Sequence, residues 1–156
     1  MDKNIKIGVF LPKETQLLDT ACVDVLGSMS KKYLSVIPLL PPHVVELAPD
    51  VTFYCITAKA NGGEIPQTSD ITVRATHDYT SAEVAPGKLD IVVVPGPDPS
   101  ADFEESSLEW LRQQASTDGV DILCICTGIF LCGAAGILDG KRASGPFDLD
   151  VTAPLK

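Results

Sequence analysis

The residue of this sequence that is best placed for chemistry is Cys126, which stands between a predicted strand and a predicted helix. The strand covers residues 120–126 (VDILCIC) and the helix covers residues 128–138 (GIFLCGAAGIL). A tight strand-to-helix turn projects one side chain above the carboxyl ends of the strands, where open α/β sheets bind ligands. The start of the helix would stabilise a thiolate, and the N–H of Thr127 would face a developing oxyanion. The pattern alone leaves open that Cys126 is a buried small hydrophobe.

The other cysteines have less specific surroundings. Cys124 lies two residues before Cys126 and therefore on the same face of a regular strand, but no second Cys/His pair at zinc spacing accompanies them, so we expect no metal site. Cys22, Cys55 and Cys132 are interpreted as core residues. Only residues 1–4 precede the first apolar run, so we expect no signal peptide and a reducing, cytoplasmic location. The odd total of five agrees with this: Cys22, Cys55, Cys124, Cys126 and Cys132.

The charge of the chain restricts its partners. Twelve Lys and Arg residues stand against 21 Asp and Glu residues, which gives a net charge of −9. So acidic a chain has no basic surface for a nucleic-acid backbone or an anionic membrane. The apolar stretch 122–138 is interrupted by glycines, so it predicts a buried strand followed by a packed helix rather than a membrane span.

Apolar periodicity predicts the elements that must position Cys126. Strands are predicted at 5–11, 51–58, 71–76 and 89–95, and helices at 16–29 and 102–116, in addition to the elements around Cys126. Gly140 is predicted as the cap of the last helix. We predict one α/β domain over residues 1–156, a three-layer flavodoxin-like sandwich with a mainly parallel sheet. The apolar pattern of the first helix consists of Leu18, Cys22, Val25, Leu26 and Met29.

Three segments give the sequence a family resemblance. The run CICTGIFLCGAAGILDGKRAS resembles the cysteine elbow of the ThiJ/PfpI superfamily, whose fold is that of class I glutamine amidotransferases. LDIVVVPGPDPS resembles the family strand that ends in Pro-Gly-Gly, and IGVFLPKETQLLDTACVDVL resembles its first strand and helix. The resemblance covers residues 5–146. The superfamily includes intracellular proteases, deglycases or glyoxalases, and isocyanide hydratases.

The resemblance implies roles for individual residues. Cys126 matches the nucleophile, and Asp19, the acidic residue after Gln-x-Leu, matches the carboxylate of the isocyanide hydratase branch. Asp19 would then act as a general acid or base. The N–H groups of Thr127 and Gly96 are the candidate oxyanion donors. From the residues alone, Asp19 could instead satisfy backbone donors at a helix start.

The activity implied by this resemblance is a cysteine-dependent hydratase or hydrolase. Its substrate would be a small electrophilic molecule, an isocyanide or a dicarbonyl. The family chemistry requires neither a metal nor an organic cofactor. We expect a homodimer in the cytoplasm. The alternative function is that of a non-catalytic redox-sensing or stress-response protein whose cysteine is oxidised reversibly.

The sequence departs from the family pattern at three places. Pro97 stands where the family offers a second N–H for the oxyanion, and proline has none. Many family members have a histidine just after the segment that matches GKRAS, but this sequence has none there. Its two histidines, His43 and His77, fall in predicted loops or edges. The core is expected to end at residue 146, with a divergent, poorly ordered tail at 147–156, so the fold would be incomplete at its C-terminus. An inactive truncated form is therefore a further alternative.

Overall fold

The structure, a computed structural model, describes residues 4–58 and 62–145. Its strands are β1 (Asn4–Phe10), β2 (Asp50–Thr57), β3 (Glu64–Pro66), β4 (Thr72–Arg74), β5 (His77–Asp78), β6 (Ile91–Val94) and β7 (Asp121–Cys124). Its helices are α1 (Leu17–Thr20), α2 (Cys22–Ser28), α3 (Lys31–Leu34), α4 (Pro42–Val45), α5 (Glu105–Ala115) and α6 (Gly128–Ala134).

Five strands form a parallel sheet in the order β5-β2-β1-β6-β7. β1 lies at its centre, where Ile7 is paired with Phe53 on one side and with Ile91 on the other. The apolar, β-branched runs that predict these strands are typical of a sheet covered on both faces. The predicted α/β architecture with a mainly parallel sheet is therefore confirmed. β3 and β4 form a separate antiparallel hairpin.

Hydrophobic residues pack on both faces of the sheet. One cluster joins Phe10, Val92 and Val94 of the strands to residues of α5 and α6, including Leu111 and Leu131. The cluster on the other face contains Val9, Leu11 and Ile65, with Val23 and Phe53 packed against them. Because side chains alternate along a strand, Val9 and Phe10 belong to opposite faces. The sheet therefore lies between a layer that holds α5 and α6 and a layer that holds α2 and the hairpin.

The first predicted helix differs from the structure in two respects. Residues 16–29 form two short helices, α1 and α2, with Ala21 between them, rather than one continuous helix. Three members of the predicted apolar pattern, Leu18, Val25 and Met29, are 82%, 67% and 58% exposed. The polar side turns inward instead, because Asp19 and Thr20 are buried. Hydrophobic spacing identified the helical conformation but assigned the wrong face to the interior.

The elements around Cys126 also differ in detail. β7 was predicted to be a buried strand that extends through Cys126, but it ends at Cys124, and Leu123 and Cys124 are exposed. It lies at the edge of the sheet, where β6 is its only partner among the described strands. α6 ends at Ala134, with Gly136 in the left-handed region shortly afterwards, so the cap predicted at Gly140 was wrong.

The apolar stretch 122–138 forms a strand, β7, followed by a helix, α6, that packs in the core as predicted, but the strand is not buried. Among the described residues, no helix is both long enough and apolar enough to cross a membrane. The predicted tail at 147–156 lies outside the described residues.

A comparison of two leucines tests this assignment of the core. Leu111 of α5 is fully buried, whereas Leu47 is 83% exposed. We expect Leu111→Ala to lower the free energy of unfolding by about 2–5 kcal/mol, because it removes buried methyl groups and leaves a cavity. Leu47→Ala should change it by less than about 0.5 kcal/mol. Urea unfolding of both variants measures the difference, and equal midpoints would contradict the packing described here.

Candidate functional site

Cys126 occupies a strained turn between β7 and α6. Its φ is 53°, in the left-handed region that residues with a Cβ atom rarely adopt. Such a conformation costs about 1–3 kcal/mol and persists only where the surrounding structure holds it. Here the flanking turn is fixed by the N–H of Ile125, which donates to Val94 O at 3.0 Å, and by that of Gly128, which donates to Ile125 O at 2.9 Å. The turn leaves the side chain of Cys126 exposed.

Gly128 allows the turn to lie directly on the end of β6. A Cβ atom at this position would collide with the carbonyl oxygen of Val94 and would lie 3.3 Å from that of Pro95. The start of α6 therefore approaches the backbone of β6 more closely than any residue with a side chain could. This close approach places the cysteine turn beside the segment that follows β6, which begins with Pro95 and Gly96.

Gly96 is the position at which three segments of the chain meet. A Cβ atom there would lie 2.6 Å from Asp19 Oδ2 and 3.0 Å from the backbone nitrogen of Thr127, and it would also collide with Thr127 Oγ1. The hydroxyl of Thr127 donates to Pro97 O at 2.8 Å. The structure thus brings Asp19, Gly96 and Thr127 together at the base of the turn that carries Cys126.

The carboxylate of Asp19 is directed at the loop after β6 rather than at its own helix. Asp19 is 9% exposed, and its Oδ2 accepts a hydrogen bond from the N–H of Gly96 at 3.1 Å. The backbone holds the same two segments together, because the N–H of Gln16 donates to Gly96 O at 2.9 Å. No side-chain cap is formed at Gln16, the residue that precedes α1. The carboxylate of Asp19 therefore links α1 to the loop after β6 and does not cap α1.

The backbone donors around the turn differ in availability. Within residues 4–58 and 62–145, the N–H of Thr127 makes no hydrogen bond, so it is free to face an oxyanion. The N–H of Gly96 is engaged by Asp19, and Pro97 has no N–H to offer. The arrangement leaves one free donor next to Cys126, held by the Thr127 side chain that is anchored on Pro97 O.

A buried polar network next to Asp19 was not predicted from the sequence. Gln67, which follows β3, is 2% exposed, and its Oε1 accepts from Thr20 Oγ1 at 2.8 Å and from Thr15 Oγ1 at 3.3 Å. The N–H of Thr68 donates to Thr15 O at 3.1 Å. These contacts attach the hairpin to the segment that carries Asp19. The one feature of the sequence that points to this network is that Thr20 directly follows the candidate residue Asp19. No local pattern in the sequence indicates that Gln67 is buried.

A shallow depression of about 460 Å³ opens at Cys126. Asp19 is not among its lining residues. The lining is formed by Cys124, Cys126, Ile129, Leu138, Ala143, Ser144 and Gly145.

The other histidines and cysteines considered as candidates lie on elements outside the Cys126 turn or are poor nucleophiles. His43 is exposed on α4, and His77 lies on the edge strand β5, where its Nδ1 is 2.9 Å from Thr76 Oγ1. Burial raises the pKa of the Cys55 thiol to about 11, which makes it a poor nucleophile. In the part of the chain that the structure describes, no three His, Cys, Asp or Glu residues are grouped so as to hold a metal ion.

The crowding at Gly96 yields a stability prediction. Gly96→Ala should lower the free energy of unfolding by about 1–3 kcal/mol, because the added methyl group must displace Asp19 or the turn. Gly27→Ala in α2 is the matched control. Its Cβ atom would meet Phe53 at an ordinary 3.6 Å, and alanine favours a helix. Urea unfolding of both variants measures the effect, and equal stability of the two would refute the close packing at Gly96.

Comparison with solved structures agrees with this architecture. A DJ-1 superfamily protein from Agrobacterium tumefaciens is similar over 87% of this chain and 61% of its own, with 16% identity and a TM-score of 0.61. DJ-1 from Schizosaccharomyces pombe is similar over 90% of this chain and 67% of its own, with 13% identity and a TM-score of 0.59. An AraC family transcriptional regulator from Pseudomonas putida is similar over 88% of this chain and 64% of its own, with 17% identity and a TM-score of 0.59.

The chain thus spans about two thirds or less of the length of these structures. At these identities the likeness shows the fold alone. No curated protein matches the sequence. The profile of the DJ-1/PfpI family matches residues 44–152, well over half of the chain and including the turn that carries Cys126. The predicted ThiJ/PfpI resemblance is therefore confirmed, and the chain belongs to the DJ-1/PfpI family.

Proposed function

We propose that this protein is a cysteine-dependent enzyme of the hydratase or hydrolase type that acts on a small electrophilic molecule, an isocyanide or a dicarbonyl. The observation that carries the proposal is the convergence of Asp19, Gly96 and Thr127 beneath the exposed, strained turn of Cys126. A nucleophile, a proton-transferring group and a free backbone donor are the three components that such chemistry needs.

For an isocyanide, the reaction adds one molecule of water across the terminal carbon. The Asp19 carboxylate takes the proton of the Cys126 thiol, the sulfur bonds to the terminal carbon, and Asp19 passes the proton to that carbon, which gives a thioimidate. Water then adds to the same carbon, and one of its protons reaches nitrogen. The C–S bond breaks, and the second water proton passes through Asp19 to the departing Cys126 sulfur. The product is an N-substituted formamide, and both Cys126 and Asp19 return to their starting states.

For a dicarbonyl, the first step is addition of the Cys126 thiol to an aldehyde carbon. The C–S bond forms while the carbonyl π bond breaks, and the negative charge moves to the oxygen. The N–H of Thr127 would hold that oxygen, since it is the donor left without an acceptor among the described residues. Removal of one such donor costs about 3–4 kcal/mol in comparable sites. Gly96 becomes a second donor only when Asp19 releases its N–H.

The second candidate function is redox sensing, in which peroxide oxidises Cys126 to a sulfenic acid as part of a stress response. One observation favours it. Pro97 has no N–H and Gly96 donates to Asp19, so the turn offers fewer oxyanion donors than catalysis of acyl or carbonyl chemistry prefers. Oxidation needs an accessible sulfur but no oxyanion hole.

The proposal includes a homodimer in the cytoplasm, one domain over residues 1–156 with its core at 5–146, and chemistry without a metal or an organic cofactor. The support for a second copy of the chain is the exposed apolar surface of α1 and α2, formed by Leu18, Val25 and Met29. Surfaces of this kind mark interaction sites.

Turnover of an aryl isocyanide and of methylglyoxal tests the catalytic roles. We expect Cys126→Ser to reduce turnover to the background rate and Asp19→Asn to reduce kcat by about 10²–10⁴-fold, the usual contribution of a general acid or base. Asp24→Asn, which alters an exposed carboxylate of α2, is the control and should leave turnover unchanged. Turnover that survives Cys126→Ser excludes the mechanism.

Alkylation by iodoacetamide near neutral pH tests the reactivity of the cysteine separately from catalysis. Cys126 is exposed, Cys132 is 1% exposed, and burial raises the pKa of Cys55 to about 11. We therefore expect peptide mapping to find Cys126 labelled before Cys55 and Cys132. If Cys126 is labelled no faster than Cys55, neither the catalytic nor the redox proposal stands, since both require a reactive thiolate.

A further inference from the structure

The β3–β4 hairpin reaches the site through one side chain, that of Gln67. Gln67 directly follows β3, and its N–H donates to Ile71 O at 2.8 Å across the loop of the hairpin. Its side chain is 2% exposed and contacts the hydroxyls of Thr15 and Thr20, on either side of the start of α1. The proposed reaction assigns no role to this residue or to the hairpin.

The side-chain amide of Gln67 uses both its acceptor and its donor. Oε1 accepts from the hydroxyl of Thr20 at 2.8 Å and from that of Thr15 at 3.3 Å. Nε2 donates to Pro66 O at 3.0 Å. Thr15 and Thr20 are 1% and 8% exposed, so these contacts lie in the interior, where polar groups need partners. An amide supplies an acceptor and a donor at the same time, which an apolar side chain of similar size cannot do.

Thr20 directly follows Asp19, so a contact that fixes Thr20 also orients the carboxylate. α1 has only four residues, and no side-chain cap is formed at its start. A helix this short has little stability of its own, so its orientation is set by its contacts. Two of these contacts come from side chains: Thr20 donates to Gln67, and Asp19 Oδ2 accepts from the N–H of Gly96 at 3.1 Å.

The backbone of Thr15 connects the hairpin to the loop after β6. It forms an isolated parallel bridge with Gln67 and an isolated antiparallel bridge with Pro97. The N–H of Thr68 donates to Thr15 O at 3.1 Å. The segment before α1 thus lies between the hairpin and the loop, and a change at Gln67 acts directly on the segment that carries Asp19.

We propose that Gln67 is a positioning residue for Asp19. Its amide, acting through the hydroxyl of Thr20, keeps α1 in the rotation that places the Asp19 carboxylate on the N–H of Gly96, at the base of the Cys126 turn. The hairpin is then a part of the active site although it touches neither the nucleophile nor the substrate. The effect on turnover rests on the proposed function, whereas the position of the carboxylate can be measured without turnover.

Amide hydrogen exchange followed by NMR on the full chain measures that position. We expect Gln67→Leu to speed exchange of the Gly96 N–H about tenfold relative to that of Ile125, the factor that the loss of a hydrogen bond to a charged group brings at the least. The N–H of Ile125, which donates to Val94 O, is the internal reference for the stability of the turn. Asp19→Ala removes the acceptor and sets the upper limit of the change.

Gln114→Leu is the matched control. Gln114 is also fully buried, and its Nε2 donates to Val84 O at 2.9 Å on the other face of the sheet, in the layer of α5. The substitution removes the same chemical group without touching α1. It should therefore leave the ratio of Gly96 to Ile125 exchange unchanged, and turnover as well, whatever it does to stability.

Two substitutions of Thr20 test the same contact from its other side. Thr20→Val removes only the hydroxyl and should act like Gln67→Leu. Thr20→Ser keeps the hydroxyl and should act like the unsubstituted protein. If Gln67→Leu fails to fold, this pair decides the proposal.

Turnover of the two substrates separates positioning from a general structural role. We expect Gln67→Leu to lower kcat about 10²-fold with little change in KM, the usual cost of misplacing a catalytic group by about 1 Å. In the Asp19→Asn background, Gln67→Leu should cost nothing further, because Gln67 acts by placing a carboxylate that the double variant lacks.

Three results would overturn the proposal. The first is a Gly96 exchange ratio that stays unchanged in Gln67→Leu and Thr20→Val. The second is an equal change of this ratio in Gln114→Leu. The third is a double variant in which the losses of kcat from Gln67→Leu and Asp19→Asn multiply. If the unsubstituted protein turns over neither substrate, the proposed function fails, and exchange at Gly96 still decides the role of Gln67.

Discussion

The absence of a side chain at Gly96 is the constraint on which the site depends. Asp19 comes from the first helical segment and Thr127 from the turn after the last strand, and the two are far apart in sequence. Both reach the same point only because Gly96 leaves no Cβ atom between them. A hydrogen bond from an amide to a carboxylate contributes about 1.5–3 kcal/mol, comparable with the cost of a left-handed cysteine. The packing that brings Asp19 to Gly96 therefore offsets the strain that exposes Cys126.

This constraint also explains why the first helical segment presents its polar side to the protein. Asp19 and Thr20 turn inward to reach Gly96 and Gln67, and both contacts are hydrogen bonds between buried groups. Buried polar groups must be paired, so these contacts fix the rotation of α1. The apolar side of α1 then faces outward. The exposure of Leu18 is the consequence of a site built from the opposite side of the same helix.

Much of the fold can be predicted from local sequence patterns. The features that could not be predicted depend on contacts between residues far apart in the sequence. β1, β2 and β6 were predicted from short apolar and β-branched runs, and α5 from its apolar stripe and charge order, which are local features of the sequence. The turn at Cys126 was predicted from a glycine two residues later, and Gly128 does carry the close approach to β6. The inward face of α1 and the burial of Gln67 could not be predicted, since they arise from partners about 50 to 80 residues away. The exposure of Leu123 depends on β7 having no outer partner among the described strands.

The residues around the Cys126 turn provide different environments for sulfur chemistry. Asp19 and Thr127 meet at Gly96, at the base of the turn, and the free N–H of Thr127 suits the stabilisation of an anion. The open depression is bordered by Cys124, Cys126 and the apolar Ile129. A small electrophile that enters this depression would meet the exposed sulfur of Cys126. Because Cys124 shares that entrance, an oxidant that reaches Cys126 reaches Cys124 as well. The exposure that would admit the substrate of the proposed enzyme would therefore also admit peroxide, so the proposed catalysis and oxidation would compete for one opening.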